Sequence, residues 1–309
     1  MTEKNNMYDM IIVGGGPAGL TAAIYAARAG IRPLVLESLT CGGQVITTSE
    51  IENYPAISKI EGWQFADELR RQAESFGTDI RTERVTGLSL RGEVKVIQTE
   101  KGDYEAKTVI LANGAKRRKL NCPGEETFLG RGVSYCGVCD GNFFREKTVC
   151  VIGGGNTAFE DALYLSRICQ KVYLIYRRAD LRVQSVEADE VRTKENIELL
   201  FSRVPERIFG ENKVEGLELR RTDGGENESL AVDAVFVAIG LEPENEIFAA
   251  CVALDEHGYI VAGEDCTTNV PGVYAAGDTR TKRLRQIITA ASDGAIAATA
   301  AVEYIRSIK

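Results

Sequence analysis

Gly14-Gly15-Gly16-Pro17-Ala18-Gly19 follows the apolar run Tyr8-Asp9-Met10-Ile11-Ile12-Val13 and opens the Ala-rich stretch Leu20 to Gly30. An apolar run, a glycine turn and an Ala-rich helix closed by glycine make the first half of a βαβ unit. Gly14, Gly16 and Gly19 satisfy G-x-G-x-x-G. The first permits a tight turn, the second lets a pyrophosphate approach the backbone, and the third lets the helix pack on the strand. Unpaired N–H groups at the helix start then face the phosphates. A second strand, Ile31 to Leu36, ends in Glu37. A carboxylate about twenty residues beyond the glycines accepts hydrogen bonds from a ribose diol. Glycines, strands and acid together define a dinucleotide site.

Residues 80 to 107 hold short alternating segments broken by Gly87, Gly92 and Gly102, the pattern of an antiparallel meander. Thr108 to Ala115, with Gly114 near its end, reads as a buried strand returning to the nucleotide fold. The plan then repeats. Lys147 to Ile152 is a strand, Gly153-x-Gly155-x-x-Ala158 a second glycine turn containing Asn156 and Thr157, Phe159 to Cys169 a helix, and Lys171 to Tyr176 a strand. Another meander precedes Ala234 to Gly240, which returns as residues 108 to 114 do. Here the second strand ends in Arg177-Arg178, with Arg182 beyond. Guanidinium groups grip a 2′-phosphate that an acid would repel, so this site is expected to prefer NADP(H) and the first an adenosine with a free ribose. Ala276-Gly277-Asp278 and Arg285-Gln286-Ile287, which opens a helix to about Arg306, suit the polyol chain and the anionic edge of FAD.

Just before the second glycine turn lies Ser134-Tyr135-Cys136-Gly137-Val138-Cys139-Asp140-Gly141. Two thiols at this spacing close to a disulfide or open to a dithiol, and an acid follows at once. Asp140 is read either as a proton carrier or as a helix N-cap. A redox switch beside a nucleotide site implies electrons passing between them.

Bulk properties narrow the field. A chain of 309 residues accommodates two domains. Its net charge of −8 argues against a nucleic-acid partner. No secretory leader and no run long enough to span a membrane is evident, so a cytosolic protein is expected. Of 8 cysteines only Cys136 and Cys139 have a meaningful spacing. Cys41, Cys122, Cys150, Cys169, Cys251 and Cys266 are expected in or near cores as reduced thiols. Zinc is disfavoured, because there is no second CxxC and the single histidine, His257, lies in a polar turn. Trp63 is expected to serve packing.

With these motifs in order, the sequence resembles the low-molecular-weight thioredoxin reductases over nearly its whole length. Further matching segments are Gly42-Gly43-Gln44 and Ile51-Glu52-Asn53-Tyr54-Pro55. The resemblance implies an α/β fold of two Rossmann-like dinucleotide-binding domains, three-layer ββα in type, one inserted in the other. FAD would occupy a discontinuous domain, 1–117 with 245–309, held by Gly14, Gly16, Pro17, Ala18, Gly19, Glu37, Gly43, Gln44, Asn53, Gly114, Gly277, Asp278, Arg285, Gln286 and Ile287. NADPH would bind the inserted domain, 118–244, through Gly153, Gly155, Asn156, Thr157, Ala158, Arg177, Arg178 and Arg182. Cys139 would face the flavin, Cys136 would exchange with the disulfide of thioredoxin or a glutaredoxin-like protein, and Asp140 would manage protons. A homodimer is implied by resemblance alone.

The chain departs from the family in Gly137-Val138 between the cysteines, Tyr176 before the arginines and Asn113 ahead of Gly114. A flavin-dependent dithiol oxidase is the rival reading, and a non-catalytic redox sensor another; Arg177, Arg178 and Arg182 argue against the oxidase. Because nicotinamide and cysteines would ride on one domain yet serve one flavin, the domain is expected to rotate about Lys116 to Gly124 and Gly240 to Ile247.

Overall fold

β1 (Met7–Val13) is a continuous apolar strand whose Met10, Ile11 and Ile12 are fully buried. A strand of a parallel sheet is covered on both faces, which is why its apolar residues run on without alternating. The computed structural model describes residues 7–48, 50–180 and 186–308, so Arg182 lies outside the described residues. The chain divides into two compact units, 1–116 with 242–309, and 117–241. The expected divisions were 117/118 and 244/245.

In the first unit β1 leads through the glycine turn to α1 (Pro17–Arg28), β2 (Pro33–Glu37), α2 (Gly62–Ser75), β3 (Asp79–Thr82), β4 (Val85–Arg91), β5 (Val94–Thr99) and β6 (Gly102–Leu111). β2 and β6 flank β1 in parallel, with Val13 opposite Leu36 and Leu111. The expected meander and returning strand prove to be continuous. Residues 102–106 of β6 pair antiparallel with β5, while its last residues run parallel to β1. One strand thus turns from meander to nucleotide fold without a loop, and Gly102 marks its start.

The inserted unit runs from β7 (Lys116–Arg117) through β8 (Val133–Ser134), α3 (Gly137–Asp140), β9 (Thr148–Ile152), α4 (Asn156–Ser166), β10 (Lys171–Tyr176), α5 (Val186–Thr193) and β11 (Ile197–Phe201). The meander is β12 (Arg203–Phe209), β13 (Gly216–Arg221) and β14 (Glu228–Ala231); β15 (Ala234–Val237) then returns, and β16 (Leu241–Glu242) pairs with β7. The main sheet is parallel in the order β11-β10-β9-β15-β8. α4 begins directly after Gly155, three positions earlier than the apolar pattern predicted, because polar Asn156 and Thr157 form its exposed first turn.

Back in the first unit, β17 (Val273–Ala275) joins the C-terminal half of β6, and α6 (Ile287–Ser307) lies on α1. A Cβ at Gly294 of α6 would stand 2.2 Å from the Ala18 carbonyl oxygen. Ala22, Ala26, Ala297 and Ala301 share that buried cluster, and small side chains let the two helices close to this distance.

Cys150, Cys169 and Cys266 are buried free thiols, and Cys41, Cys122 and Cys251 are half-buried. Trp63 departs from expectation. It is 57% exposed near the start of α2, with its indole N–H bonded to Glu61. Among the described residues no helix is long and apolar enough to cross a membrane.

Candidate active site

The three glycines of the first turn do different work. A Cβ on Gly14 would lie 2.4 Å from the Ala112 carbonyl oxygen, and one on Gly19 only 1.9 Å from that of Gly14. Both are required by packing. Gly16 has nothing within 4 Å of its Cβ position, so this face is open to a ligand. Pro17 and Ala18 begin α1, whose first turn carries no acid to offset its partial positive charge. Glu37 holds the loop from β2. One carboxylate oxygen accepts the Gly15 N–H at 2.7 Å, and the other accepts the Leu39 N–H at 3.1 Å.

Further expected residues converge on this loop. Gly43 stands with its Cβ position 3.6 Å from the Gly16 Cα, and Gln44 donates to the Ala115 carbonyl beside Gly114. The Cβ position of Gly277 is 2.9 Å from that of Ala18, which brings Asp278 to the same end of the sheet. Gln286 caps α6 ahead of Ile287 in a reciprocal arrangement with Thr289, and its side chain accepts from Asn53 at 3.1 Å. The Arg285 guanidinium lies 4.1 Å from the Tyr259 ring centroid. Asn113 joins a network in which Thr279 bridges Asn113 and fully buried Asn245. An open glycine face, unbalanced helix N-termini and a surrounding polar rim fit an anionic dinucleotide.

Sequence reading missed the ions behind this cradle. Asp293 of α6 receives a bidentate Arg280 at 2.8 Å, Lys282 at 2.8 Å and the Gly277 N–H at 2.9 Å. Burial pushes the Asp293 carboxyl up, but the Arg280 and Lys282 hydrogen bonds outweigh this and hold it below the usual carboxylate range. A signal existed, since Asp293 falls on the Ala290, Ala297, Ala301 stripe of an otherwise apolar helix face.

The second cradle follows the same rules with different charge. A Cβ on Gly153 would meet the Ala238 carbonyl oxygen at 2.3 Å, while Gly155 is open. Asn156 and Thr157 lie exposed at the start of α4, and Ala158 is buried. Tyr176 is 7% exposed and packs so closely on the loop that a Cβ at Gly154 would fall within its ring. Arg177 and Arg178 then emerge with their carbonyls bonded to Thr222 and Ser202. Neither forms an ion pair among the described residues, which leaves two guanidinium groups available for a phosphate.

Cys136 and Cys139 form a disulfide with Cα atoms 5.3 Å apart. Extended Cys136 is the N-cap of α3, and its Sγ accepts the Cys139 N–H at 3.2 Å. Ser134 donates to one Asp140 oxygen at 2.6 Å and accepts the Cys136 N–H at 3.1 Å. The other Asp140 oxygen is buried without a hydrogen-bond partner among the described residues. Burial pushes the Asp140 carboxyl up, against Ser134 and Arg117. Its side chain makes no cap bond, so the N-cap reading fails and the carboxyl is held by Ser134 instead. Tyr135 donates to Glu125 at 2.7 Å under the Arg117 guanidinium, which further fixes the segment. Among the described residues no cluster of His, Cys, Asp and Glu could hold a metal ion.

Two dinucleotide cradles, with a cysteine disulfide in the unit that bears the second, define a flavin- and pyridine-nucleotide-dependent disulfide oxidoreductase. The chain belongs to the pyridine nucleotide-disulphide oxidoreductase family, matched over residues 8–294. It is 46% identical over 303 residues to a thioredoxin reductase of Treponema pallidum (strain Nichols), covering 98% of each chain. It is 43% identical over 307 residues to a bifunctional thioredoxin reductase/thioredoxin of Mycobacterium leprae (strain TN), covering 98% of this chain and 67% of that protein. The solved thioredoxin reductase of Streptococcus pyogenes MGAS5005 superposes with a TM-score of 0.93 at 39% identity, over 98% of this chain and all of that one.

Replacing Asp293 by Asn should leave Lys282 without its carboxylate and Arg280 with only exposed Glu264 at 3.9 Å, costing about 3–5 kcal/mol at neutral pH. The Asp293 carboxyl is depressed in the folded state, so its contribution is present above the ordinary carboxylate range and is lost as pH falls below it. Urea denaturation should show the gap between wild type and D293N narrowing in acid. A gap independent of pH would contradict the ionic role.

Proposed function

We propose that the chain is an NADPH-dependent flavoenzyme that reduces the disulfide of thioredoxin, with glutaredoxin-like proteins as the alternative partner. The observation that carries this reading is the pair Arg177 and Arg178, without ion-pair partners among the described residues, at the end of β10 in the unit that bears the disulfide. A dithiol oxidase would have no use for a 2′-phosphate grip. The Mycobacterium leprae relative, which combines reductase and thioredoxin in one polypeptide, supports thioredoxin as the partner.

FAD belongs to the first cradle, where Gly14, Gly16, Gly19, Gly43 and the α1 N-terminus receive the pyrophosphate and Glu37 the ribose. Asp278, Arg285, Gln286 and Ile287 meet the rest of the cofactor. When bound, the flavin supplies the two-electron relay between a reduced nicotinamide and the disulfide. Gly153, Gly155 and the first turn of α4 would hold the pyrophosphate of NADPH, and Arg177, Arg178 and, by its place in the sequence, Arg182 would take its 2′-phosphate. Cys139 receives the electron pair, and the Cys136–Cys139 bond opens. Cys136 thiolate then attacks the partner disulfide, forming a mixed disulfide and releasing one partner thiolate, which takes a proton. Asp140, whose Oδ1 has no hydrogen-bond partner among the described residues, supplies that proton and is reprotonated from solvent. Cys139 attacks Cys136, reforms the disulfide and frees the second partner thiol.

Nicotinamide and disulfide both travel with the inserted unit, so that unit turns about Lys116 to Gly124 and Gly240 to Ile247. Gly124 and Gly240 have positive φ, +92° and +98°, and β7 pairs with β16 within these segments. Homodimerisation, read by sedimentation velocity, and a cytoplasmic location complete the proposal on family likeness.

Anaerobic NADPH should bleach the yellow protein, and oxidised thioredoxin should restore the colour; a flavin that stays oxidised under NADPH would refute the function. Arg177→Ala with Arg178→Ala should raise KM for NADPH roughly tenfold or more and leave NADH nearly unaffected, the scale of lost charge-assisted bonds. Equal effects on both would contradict the 2′-phosphate assignment. A cross-link that locks the inserted unit should permit one half-reaction and stop turnover, whereas full turnover in the locked protein would eliminate the rotation.

A further inference from the structure

The nucleotide helix and the redox turn share one side chain. Asp161, midway along α4, is 7% exposed, and its carboxylate packs against Gly137, the residue that starts α3 between the cysteines. A Cβ on Gly137 would stand 2.7 Å from Oδ1 and 2.8 Å from Cγ of Asp161. The glycine between the cysteines is therefore the steric counterpart of this carboxylate. Neither the phosphate cradle nor the disulfide requires a charge here. An asparagine would fill the same space without the cost of burying one.

We propose that Asp161 is a positioning residue for the Cys136–Cys139 pair: its carboxylate packs the first residue of the redox turn against the nucleotide helix, and its charge opposes the thiolate that forms at Cys136 on reduction. The Cys136 Sγ is the N-cap atom of that turn and takes the Cys139 N–H. Thiolate and carboxylate thus face a single turn, and two anions so placed disfavour each other. A less stable thiolate is a more readily oxidised one, which suits a pair that must pass its electrons on. Burial pushes the Asp161 carboxyl up to about 7, with the Gly137 amide opposing and Glu160 adding to the rise. From α3 the other titratable groups are the pair itself and Asp140, whose carboxylate is bonded to Ser134. β9, β10 and α5 meet α4 through Val149, Val151, Leu174, Ala188 and Val191, with Tyr176 and Cys169 the titratable side chains of that cluster.

This inference rests on the cysteine pair being the working couple, but its test reads the thiols directly and is independent of the nucleotide and partner assignments. Holoenzyme is reduced anaerobically with dithiothreitol, freed of reagent, and alkylated with iodoacetamide from about pH 5 to pH 10, with Cys136 followed by peptide mass. Asp161→Asn keeps the shape that packs on Gly137 and removes the charge. It should lower the apparent Cys136 pKa and raise its alkylation rate at pH 7 about three- to tenfold. Gly137→Ala, which displaces the carboxylate, should shift the profile the same way by less. A wild-type or upward-shifted profile in Asp161→Asn would overturn the proposal. If that variant does not fold, a wild-type profile in Gly137→Ala overturns it instead.

Discussion

The working loops of this protein depend on one kind of interaction, the hydrogen bond from a loop amide to a carboxylate brought in by a neighbouring element. Glu37 takes the amide of Gly15, Asp293 that of Gly277, and Glu125 those of Leu120 and Asn121. A turn that must leave some amides free for a phosphate or a sulfur cannot be stiffened by its own backbone ladder. A charge-assisted bond from outside the turn supplies the missing rigidity. Where such a carboxylate is buried, its charge has to be compensated. Arg280 and Lys282 do this for Asp293, whereas burial pushes the Asp161 carboxyl up to about 7.

Duplication explains the architecture, and charge explains the division of labour. Both units build a parallel sheet, a glycine turn and a helix, and both continue through an antiparallel meander. Their second strands end differently, in Glu37 and in Arg177-Arg178. The acid gives one oxygen to the Gly15 amide and the other to the Leu39 amide, whereas the arginines are held by their carbonyls and form no ion pair among the described residues. The two cradles thus share a scaffold and differ in charge. Tyr176 fills the space over Gly154, so its part is packing.

The local pattern by itself determined the two βαβ units, the glycine turns, the CxxC pair and the contrast between acid and arginines. Glycine conformational freedom, apolar strand runs and charge at a strand end are properties of a few adjacent residues, and they are readable without a fold. Only the tertiary structure decided that meander and returning strand are one strand, β6, because its change of partners involves β1, β5 and β17. Only the fold could join Asp293 to Gly277 and Asp161 to Gly137, since these pairs lie far apart in the chain. The fold also settled the side chain of Asp140, which turns away from capping toward Ser134. Apolar helix faces interrupted by a single acid were visible in α4 and α6, but the partner that made each acid tolerable was not. Partners of buried charge are set by packing, and packing is a property of the whole chain.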